Sequence, residues 1–343
     1  MPSRTLLLRF PRQSPQVLLP TARRRCYSAK PAAASSDQEP LIRVTDLPAP
    51  NTGHIRILEL NRPSARNAIS RALLQGLRRE IDDVHAQYDA ETGDEIPVQS
   101  WNQRFGGAAG ESSKGPTRAV IIASAVESCF CAGADLKERR GFTQEETDAF
   151  LITLRATFAT LAALPVPTIS AISSLALGGG LELALATHFR VLSSNAVIGL
   201  PETRLGILPG AGGTHRLPAL IGIGRARDLI LTGRRVSAPE AYFLGIADRL
   251  VEVLPEEGEG DKTEAVAAGI LARARRDVLS EGVRLATEIC EGGPVAVRAA
   301  LQAVQRPHES VENAMYERVV KTEDRNEALR AFGEKRKPVF TGR

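Results

Sequence analysis

The sequence has few of the residues that build disulfide frameworks or metal sites. It contains four cysteines and five histidines in 343 residues, with no paired C-x-x-C and no H-E-x-x-H. Four scattered cysteines do not form a disulfide framework, which suits a reducing compartment. The histidines are equally scattered, so we predict no metal site and interpret each histidine as structural or as surface. The cysteines are Cys26, Cys129, Cys131 and Cys290.

Motifs for nucleotide binding and for a nucleophilic serine are also missing. There is no G-x-x-x-x-G-K-[ST] and no G-x-S-x-G. The run "GAGGTH" at 210–215 breaks G-x-G-x-x-G at its last position, which is His215. The sequence therefore supports neither nucleotide fingerprint and does not favour a serine hydrolase.

No long apolar run continues without interruption. Residues 166–189 contain a single full charge, Glu182, but Pro167 and three glycines break the run and Arg190 ends it. This pattern predicts a buried strand, a glycine turn and a buried helix rather than a membrane span. We therefore expect no membrane partner.

Acidic residues are absent from the first 36 positions, which carry seven basic residues. The net charge of the chain is +4, so subtracting this +7 leaves −3 for the remainder, which gives no global attraction to nucleic acid. Arginines mixed with leucines, serines and alanines are typical of a mitochondrial transit peptide, and "RCYSA" predicts matrix-protease cleavage after Tyr27. A disordered basic tail is the alternative. We predict a transit peptide over 1–36 and location in the mitochondrial matrix.

Apolar periodicity predicts an α/β fold. Segments 41–47 and 54–60 alternate as a strand pair, and the spacing from Ser70 onward predicts a helix. Strand and helix patterns alternate up to about residue 255, and helical patterns follow. We divide the chain into a leader (1–36), a core (37–255) and a C-terminal helical region (256–343).

Two local patterns refine this division. Residues 86–117 have no periodicity and contain five glycines and the only tryptophan, so we predict a surface insertion. Capping boxes predict helix starts at Thr143, paired with Glu146, and at Ser237, paired with Glu240.

Two glycine turns and two glutamates are the candidates for chemistry. "AGAD" at 132–135 and "GGG" at 178–180 each open a helix after a buried strand, so their N–H groups can form an oxyanion hole. Glu182 lies one turn inside the second helix, and Glu202 follows a strand end. Spacing leaves open that Glu182 pairs with Arg190 and that Glu202 is a cap or a surface residue.

Several blocks resemble the signature blocks of the crotonase (enoyl-CoA hydratase/isomerase) superfamily. They are "NRPSARNA", "FCAGADLKER", "LPVPTISAISSLALGGGLELALATHFRV", "GLPETRLGILPGAGGTHRLP" and "RAFGEKRKPVF". The resemblance covers residues 41–343 apart from the predicted insertion. It implies a crotonase-like spiral of repeated β-β-α units with a C-terminal helical trimerisation region, hence a homotrimer or a dimer of trimers.

The resemblance also assigns roles. The N–H groups of Ala134 and Gly179 would hold a thioester oxygen, while Glu202 acts as principal acid/base and Glu182 orients and helps activate water. Retention of both glutamates favours hydration of an enoyl-CoA. Coenzyme A belongs to the substrate, and no cofactor is implied. The implied substrate and CoA contacts are Arg66, Ala68, Ala132, Asp135, Leu136, Lys137 and Lys335, the last reaching a neighbouring subunit.

The acyl chain is less closely defined. "AGADLKER" and "LALGGGLELALA" are similar to mitochondrial hydratases of the methylglutaconyl-CoA type in leucine breakdown, and a general short-chain enoyl-CoA hydratase is the alternative. A distal substrate carboxylate needs a cation, for which Arg139 and Arg140 are candidates. The chain departs from the family pattern at Ser174, His188 and His215.

Some members of this branch also bind RNA through a lysine-rich helix. The equivalent segment here, 69–87, has three arginines, three acidic residues and no lysine. We therefore do not favour RNA binding.

Overall fold

The computed structural model describes residues 39–97, 115–254 and 264–343, so the predicted leader and its cleavage site lie outside the described residues. Ten strands are present in these ranges: β1 Ile42–Pro48, β2 His54–Leu60, β3 Thr117–Ser124, β4 Cys129–Cys131, β5 Thr168–Ile172, β6 Leu175–Leu177, β7 Phe189–Ser193, β8 Val197–Gly199, β9 Arg235–Ser237 and β10 Arg249–Val251.

Eleven α-helices lie in the same ranges: α1 Arg71–His85, α2 Leu136–Arg139, α3 Gln144–Ala162, α4 Gly179–Leu185, α5 Gly213–Ile221, α6 Ile223–Thr232, α7 Ala238–Leu244, α8 Glu264–Cys290, α9 Pro294–Gln305, α10 Glu309–Val319 and α11 Glu323–Glu334. Two 3₁₀ turns, Pro63–Ala65 and Glu202–Leu205, are also present.

The strands form two sheets, and the chain passes repeatedly from one to the other. The larger sheet has the order β1-β2-β3-β5-β7-β10, and the smaller has the order β4-β6-β8-β9. β3, β5 and β7 of the larger sheet are each followed directly by β4, β6 and β8 of the smaller one, and helical residues follow each pair. This is the predicted spiral of β-β-α units. Apart from the antiparallel pairs β1–β2 and β8–β9, the pairings are parallel.

Local sequence explains the main elements. All eight residues of β3, "TRAVIIAS", are buried, as expected for a central strand covered on both faces. α1 begins at its Ser70 cap, which accepts from the Leu73 N–H, and it buries its predicted apolar face. The Thr143 capping box is present. Ser237 accepts from the Glu240 N–H, but the Glu240 carboxylate pairs with Arg234 at 2.8 Å instead of completing the second box.

The first C-terminal helix is part of the core. Val278 and Leu285 of α8 are buried in the same apolar cluster as Ile121, Ile169 and Val191 of the larger sheet. The first helix of the C-terminal region therefore covers one face of this sheet. α1, α3 and α4 contribute to a second apolar cluster.

The ends of the predicted 86–117 insertion are also built into the fold. Tyr88 is buried, and its hydroxyl donates to the Thr117 carbonyl in β3. Glu95 pairs with Arg118 and, at 2.6 Å, with Arg298 of α9. The aromatic ring and the ion pairs therefore dock these ends onto the core, while residues 89–92 between them are exposed. Residues 98–114 lie outside the described residues.

The apolar stretch 166–189 forms β5, β6 and α4, as predicted. Within the described residues, no helix is both long enough and apolar enough to cross a membrane.

Candidate active site

The two predicted glycine turns pack against each other. Gly133 has a φ of +97°, and a Cβ there would lie 2.8 Å from the Leu177 carbonyl oxygen. A Cβ on Gly179 would lie 3.5 Å from the Ala134 nitrogen. The absence of side chains at Gly133 and Gly179 therefore lets the two turns share one wall of a cleft.

These turns present two N–H groups to the cleft. Ile69 donates to the Gly133 carbonyl at 2.8 Å and accepts from the Asp135 N–H at 3.1 Å, which leaves the intervening Ala134 N–H without an acceptor among the described residues. Gly179 is the first residue of α4, where an N–H has no partner within the helix. Two donors at this spacing suit an oxygen atom that gains negative charge.

Glu182 is buried and is held by main-chain N–H groups. Its Oε1 accepts from Ala211 at 2.7 Å and from Gly213 at 2.8 Å. Burial raises the pKa of Glu182, and these two hydrogen bonds oppose the rise. The alternative pairing with Arg190 is absent, since that guanidinium pairs with Asp248 at 2.7 Å.

Glu202 begins the 3₁₀ turn after β8, and its carboxyl is more isolated. Its Oε2 is buried with no hydrogen-bond partner in the described parts of the chain. Burial, aided by the charge of Glu182, raises the pKa of Glu202 to about 7. Both carboxyl groups therefore bind a proton more readily than an exposed glutamate does, and the charge of Glu182 adds to the rise at Glu202.

A third glycine makes room for Glu202. Gly178 has a φ of +53°, and a Cβ there would lie 2.9 Å from Glu202 Oε1. Any side chain at this position would displace the carboxyl group. Gly178 therefore leaves room for the carboxyl group of Glu202, while Gly179 presents its N–H group to the cleft.

The turns and both glutamates line one cleft of about 440 Å³. The predicted residues that line it are Ala132, Ala134, Leu136, Gly179, Glu182 and Glu202. Most of the other walls are apolar, formed by Leu151, Leu154, Leu177, Pro201, Leu205, Ile207 and Leu208. The arrangement suits addition of water to a double bond conjugated with a carbonyl, because oxyanion donors, a base and an acid meet beside an apolar chain.

Other predicted binding residues do not line this cleft. Arg66, Lys137 and Lys335 are exposed and Ala68 is half-buried, all outside the lining set. Asp135 was expected to contact substrate, but its carboxylate pairs with Arg62 at 2.7 Å and accepts from the Lys137 and Glu138 N–H groups. The carboxylate oxygens are therefore bonded within the protein, and a substrate contact of Asp135 stays a prediction.

The structure adds an arginine that the sequence analysis missed. Arg139 lines the cleft as expected, whereas Arg140 is exposed outside the lining set. Arg155 of α3 lines the cleft and donates from Nε to the Gly210 carbonyl at 2.7 Å. The sequence pattern that could have identified Arg155 is its position four residues after Leu151, which places a cation at the border of the apolar face of α3. The N–H groups of Ala211 and Gly213, which bond Glu182, belong to the "GAGG" run at 210–213, whose pattern partly matches a nucleotide-binding motif.

Across residues 39–97, 115–254 and 264–343, no group of three His, Cys, Asp or Glu side chains could hold a metal ion. Cys129, Cys131 and Cys290 are buried free thiols.

Comparison with known proteins defines the class. The family described as Enoyl-CoA hydratase/isomerase matches residues 111–343. The chain is 72% identical over 312 residues to "Methylglutaconyl-CoA hydratase 1, mitochondrial" of Pyricularia oryzae, covering 91% of this chain and 89% of the relative. It is 39% identical to "Enoyl-CoA hydratase domain-containing protein 2, mitochondrial" of Bos taurus, covering 98% of each chain.

A solved structure agrees with these sequence matches. The enoyl-CoA hydratase of Bacillus anthracis superposes with a TM-score of 0.69 at 36% identity, covering 88% of this chain and all of that one. The chain therefore belongs to the enoyl-CoA hydratase/isomerase, or crotonase, family.

Proposed function

We propose that the chain is a mitochondrial enoyl-CoA hydratase that acts on 3-methylglutaconyl-CoA in leucine catabolism. The observation that carries the proposal is that Glu182 and Glu202 line one cleft with the two glycine turns, whose Ala134 and Gly179 N–H groups have no acceptor among the described residues. This set matches the needs of water addition to an unsaturated thioester.

The N–H groups of Ala134 and Gly179 bind the thioester oxygen. Negative charge develops there when the β carbon is attacked, so these donors stabilise the enolate more than the substrate. Removing one donor of this kind typically lowers the rate by a factor of about 10²–10³. The backbone geometry supplied by Gly133 and Gly178 is therefore needed for the chemistry.

The two glutamates divide the proton transfers. Glu182 takes a proton from water as the oxygen bonds to the β carbon, and the electron pair of the double bond moves into the thioester enolate. Glu202 then delivers its proton to the α carbon. The pair begins and ends with one proton, and transfer from Glu182 back to Glu202 resets the site.

The test is hydration of 3-methylglutaconyl-CoA and crotonyl-CoA by the full chain and by Glu202→Gln. We expect turnover by the natural chain and a loss of about 10³-fold or more in the variant, as for removal of an essential acid. Preference for crotonyl-CoA would support the alternative, a general short-chain hydratase. No turnover of either thioester by folded protein would refute hydration.

Matrix location is part of the proposal. It is supported by the composition of residues 1–36 and by the word "mitochondrial" in the names of the Pyricularia and Bos relatives. Sequencing the N-terminus of protein recovered from mitochondria tests it, and Ser28 is the expected first residue.

Assembly and coenzyme binding complete the proposal. Tyr316 and Phe332 on the C-terminal helices are 69% and 86% exposed, which supports a homotrimer or dimer of trimers. Sedimentation equilibrium tests the assembly.

Arg66, Ala68 and Lys137 would contact CoA, and Lys335 would reach a neighbouring subunit. We expect activity without added cofactor, which assay of dialysed protein tests.

A further inference from the structure

We propose that Arg216 is a positioning residue, which holds the 210–213 turn in the conformation whose N–H groups bond Glu182. The inference rests on the proposed hydration, because it concerns how one of the two glutamates is kept in place. Arg216 lies outside the set of residues that line the cleft. It therefore acts on Glu182 through the turn, and not on the substrate.

The two main-chain hydrogen bonds to Glu182 end on the same oxygen. Ala211 and Gly213 both donate to Oε1, at 2.7 and 2.8 Å. Among the described residues no hydrogen bond to Oε2 is present. The turn thus sets the direction of Oε2, which is the oxygen left to take a proton from water. A shift of the turn would move this oxygen as well.

Arg216 reaches the turn from the first turn of α5. Its Nη1 donates to the Ala211 carbonyl at 2.9 Å, and its Nη2 donates to the carbonyl of Phe158, a buried residue of α3, at 3.4 Å. Ala211 therefore bonds Glu182 through its N–H and Arg216 through its carbonyl. The guanidinium joins the turn to the main chain of a helix that packs in the core.

Gly212 makes room for the guanidinium. It has a φ of +120°, and a Cβ there would lie 1.9 Å from Arg216 Nη1 and 2.9 Å from Arg216 Cζ. The guanidinium therefore lies directly against the main chain between the two residues that donate to Glu182. A side chain at position 212 would displace it, and the backbone conformation is one that residues other than glycine rarely adopt.

The turn needs such a contact because its own sequence supplies little support. Three of its four residues are glycines, and glycine loses more conformational freedom on ordering than any other residue. Residues 204–208, which precede it, are exposed. Hydrogen bonds to the main chain of the turn therefore offset the entropy cost of ordering it.

The position of Arg216 does not serve the stability of its own helix. A cation in the first turn of a helix faces the positive end of the helix dipole, which is unfavourable. Within the described residues Arg216 has no ion-pair partner, and the charge that acts on it is that of Glu182. Burial raises the pKa of Glu182, while the two N–H bonds and the charge of Arg216 oppose the rise. Arg216 therefore favours the ionised form of Glu182 both through the turn and through its charge.

The first test is the kinetics of Arg216→Gln with 3-methylglutaconyl-CoA and crotonyl-CoA. We expect kcat to fall by about 10-fold or more and KM to change by less than about threefold, because a misdirected base slows proton transfer without losing a substrate contact. The acid limb of the kcat/KM profile should move to higher pH, since the charge is also lost. Arg227→Gln, at an exposed arginine of α6, is the matched control.

Arg216→Lys separates the hydrogen bonds from the charge. Lysine keeps the charge, but its single ammonium group does not reproduce the planar guanidinium that bonds two carbonyl groups. We expect this variant to keep the acid limb close to that of the natural chain and to recover only part of kcat. It carries the test if Arg216→Gln does not fold. Full recovery of kcat would mean that the charge alone is needed and would overturn the proposal.

Amide hydrogen exchange tests the turn without any chemistry. The N–H groups of Ala211 and Gly213 are bonded to a buried carboxyl group, so both should exchange slowly in the natural chain. Arg216→Gln should speed their exchange by about 10-fold or more, and Arg227→Gln should leave it unchanged.

The outcomes separate this proposal from the proposed hydration. Unchanged kcat and unchanged exchange in a folded Arg216→Gln would overturn the positioning role and leave the hydratase standing. Faster exchange throughout the chain, with a fall in Tm, would show a general structural role and would also overturn it. No turnover of either thioester by the natural chain, combined with faster exchange confined to the turn in Arg216→Gln, would support the positioning of Glu182 and refute hydration.

Discussion

Arg62 and Asp135 form an ion pair, with Nη1 2.7 Å from Oδ2, that joins the early turn to the loop carrying Ala134. The same Arg62 nitrogen donates to the Ala68 carbonyl at 2.8 Å. Asp135 also caps α2 through Oδ1, so its two oxygens fasten the turn from both sides. The pair lies next to the proposed oxyanion donor without lining the cleft.

Loss of this pair should impair catalysis more than binding. We expect Arg62→Gln to lower kcat by about 10-fold or more with KM changed far less, because a displaced Ala134 N–H weakens transition-state stabilisation. Steady-state kinetics measure the split. Arg79→Gln, on an exposed position of α1, is the control. Parallel losses in kcat and in thermal stability, without recovery in Arg62→Lys, would indicate a purely structural role.

At high pH, Glu202→Gln should lower the activity and raise the free energy of unfolding. Folding raises the pKa of Glu202 from 4.5 to about 7, so the folded state binds an extra proton between these values. The free energy of unfolding therefore falls as pH rises through this window. Glu202→Gln removes the free-energy cost of ionising this buried carboxyl group. The variant should therefore be more stable than the natural chain by about 1–3 kcal/mol at pH 8.

Thermal unfolding at several pH values checks this prediction. The advantage of the variant should be full above pH 7 and should shrink as pH falls toward 4.5. Glu317→Gln, an exposed carboxylate on α10, should show no such dependence. An advantage that does not change with pH would contradict the assigned protonation.

The pH dependence of kcat/KM should be the same for hydration and dehydration. Water addition consumes and releases no proton overall, so both directions need the pair with one proton bound. Activity should fall above about pH 7, where Glu202 loses its proton, and again in acid, where Glu182 gains one. Initial rates of hydration as a function of pH test this, and activity that does not fall above about pH 7 would be inconsistent with it.

Gly178→Ala should abolish activity. The added Cβ would lie 2.9 Å from Glu202 Oε1, and the φ of +53° is one that alanine rarely adopts. We expect a fall in kcat of about 10²-fold or more and a lower Tm. The control is Gly224→Ala in α6, where a Cβ meets nothing within 4 Å and should stabilise by about 0.5–1 kcal/mol. Activity within a few-fold of the natural chain would show that Glu202 tolerates displacement.

Local pattern was enough to predict the glycine turns and the buried strands and to mark both glutamates as candidates, whereas their pairing in one site was implied by the family resemblance. Each of these depends on neighbours within a few positions, such as a glycine before a helix or a carboxylate in an apolar run. The interpretation of His188 as structural also agrees with the structure, since it accepts from the Thr168 N–H and burial lowers its pKa to about 4.

The remaining features depend on distant parts of the chain. The partners Arg62 and Asp135 are 73 positions apart, and Arg155 reaches Gly210 across 55. No periodicity marks such contacts, because they arise when successive turns of the spiral stack. For the same reason, the ion pair of Asp135 with Arg62 could not be predicted from local sequence.

The hydrogen bonds to Glu182 come from the main-chain N–H groups of Ala211 and Gly213, so the side chains of residues 205–208 supply none of them. Substitutions at Leu205, Ile207 and Leu208, which line the cleft, change its shape without removing a hydrogen-bond donor to the Glu182 carboxylate. New acyl specificities are therefore accessible by mutation while the acid–base pair is retained. Libraries randomised at these three positions are a natural starting point for engineering the protein toward other thioesters.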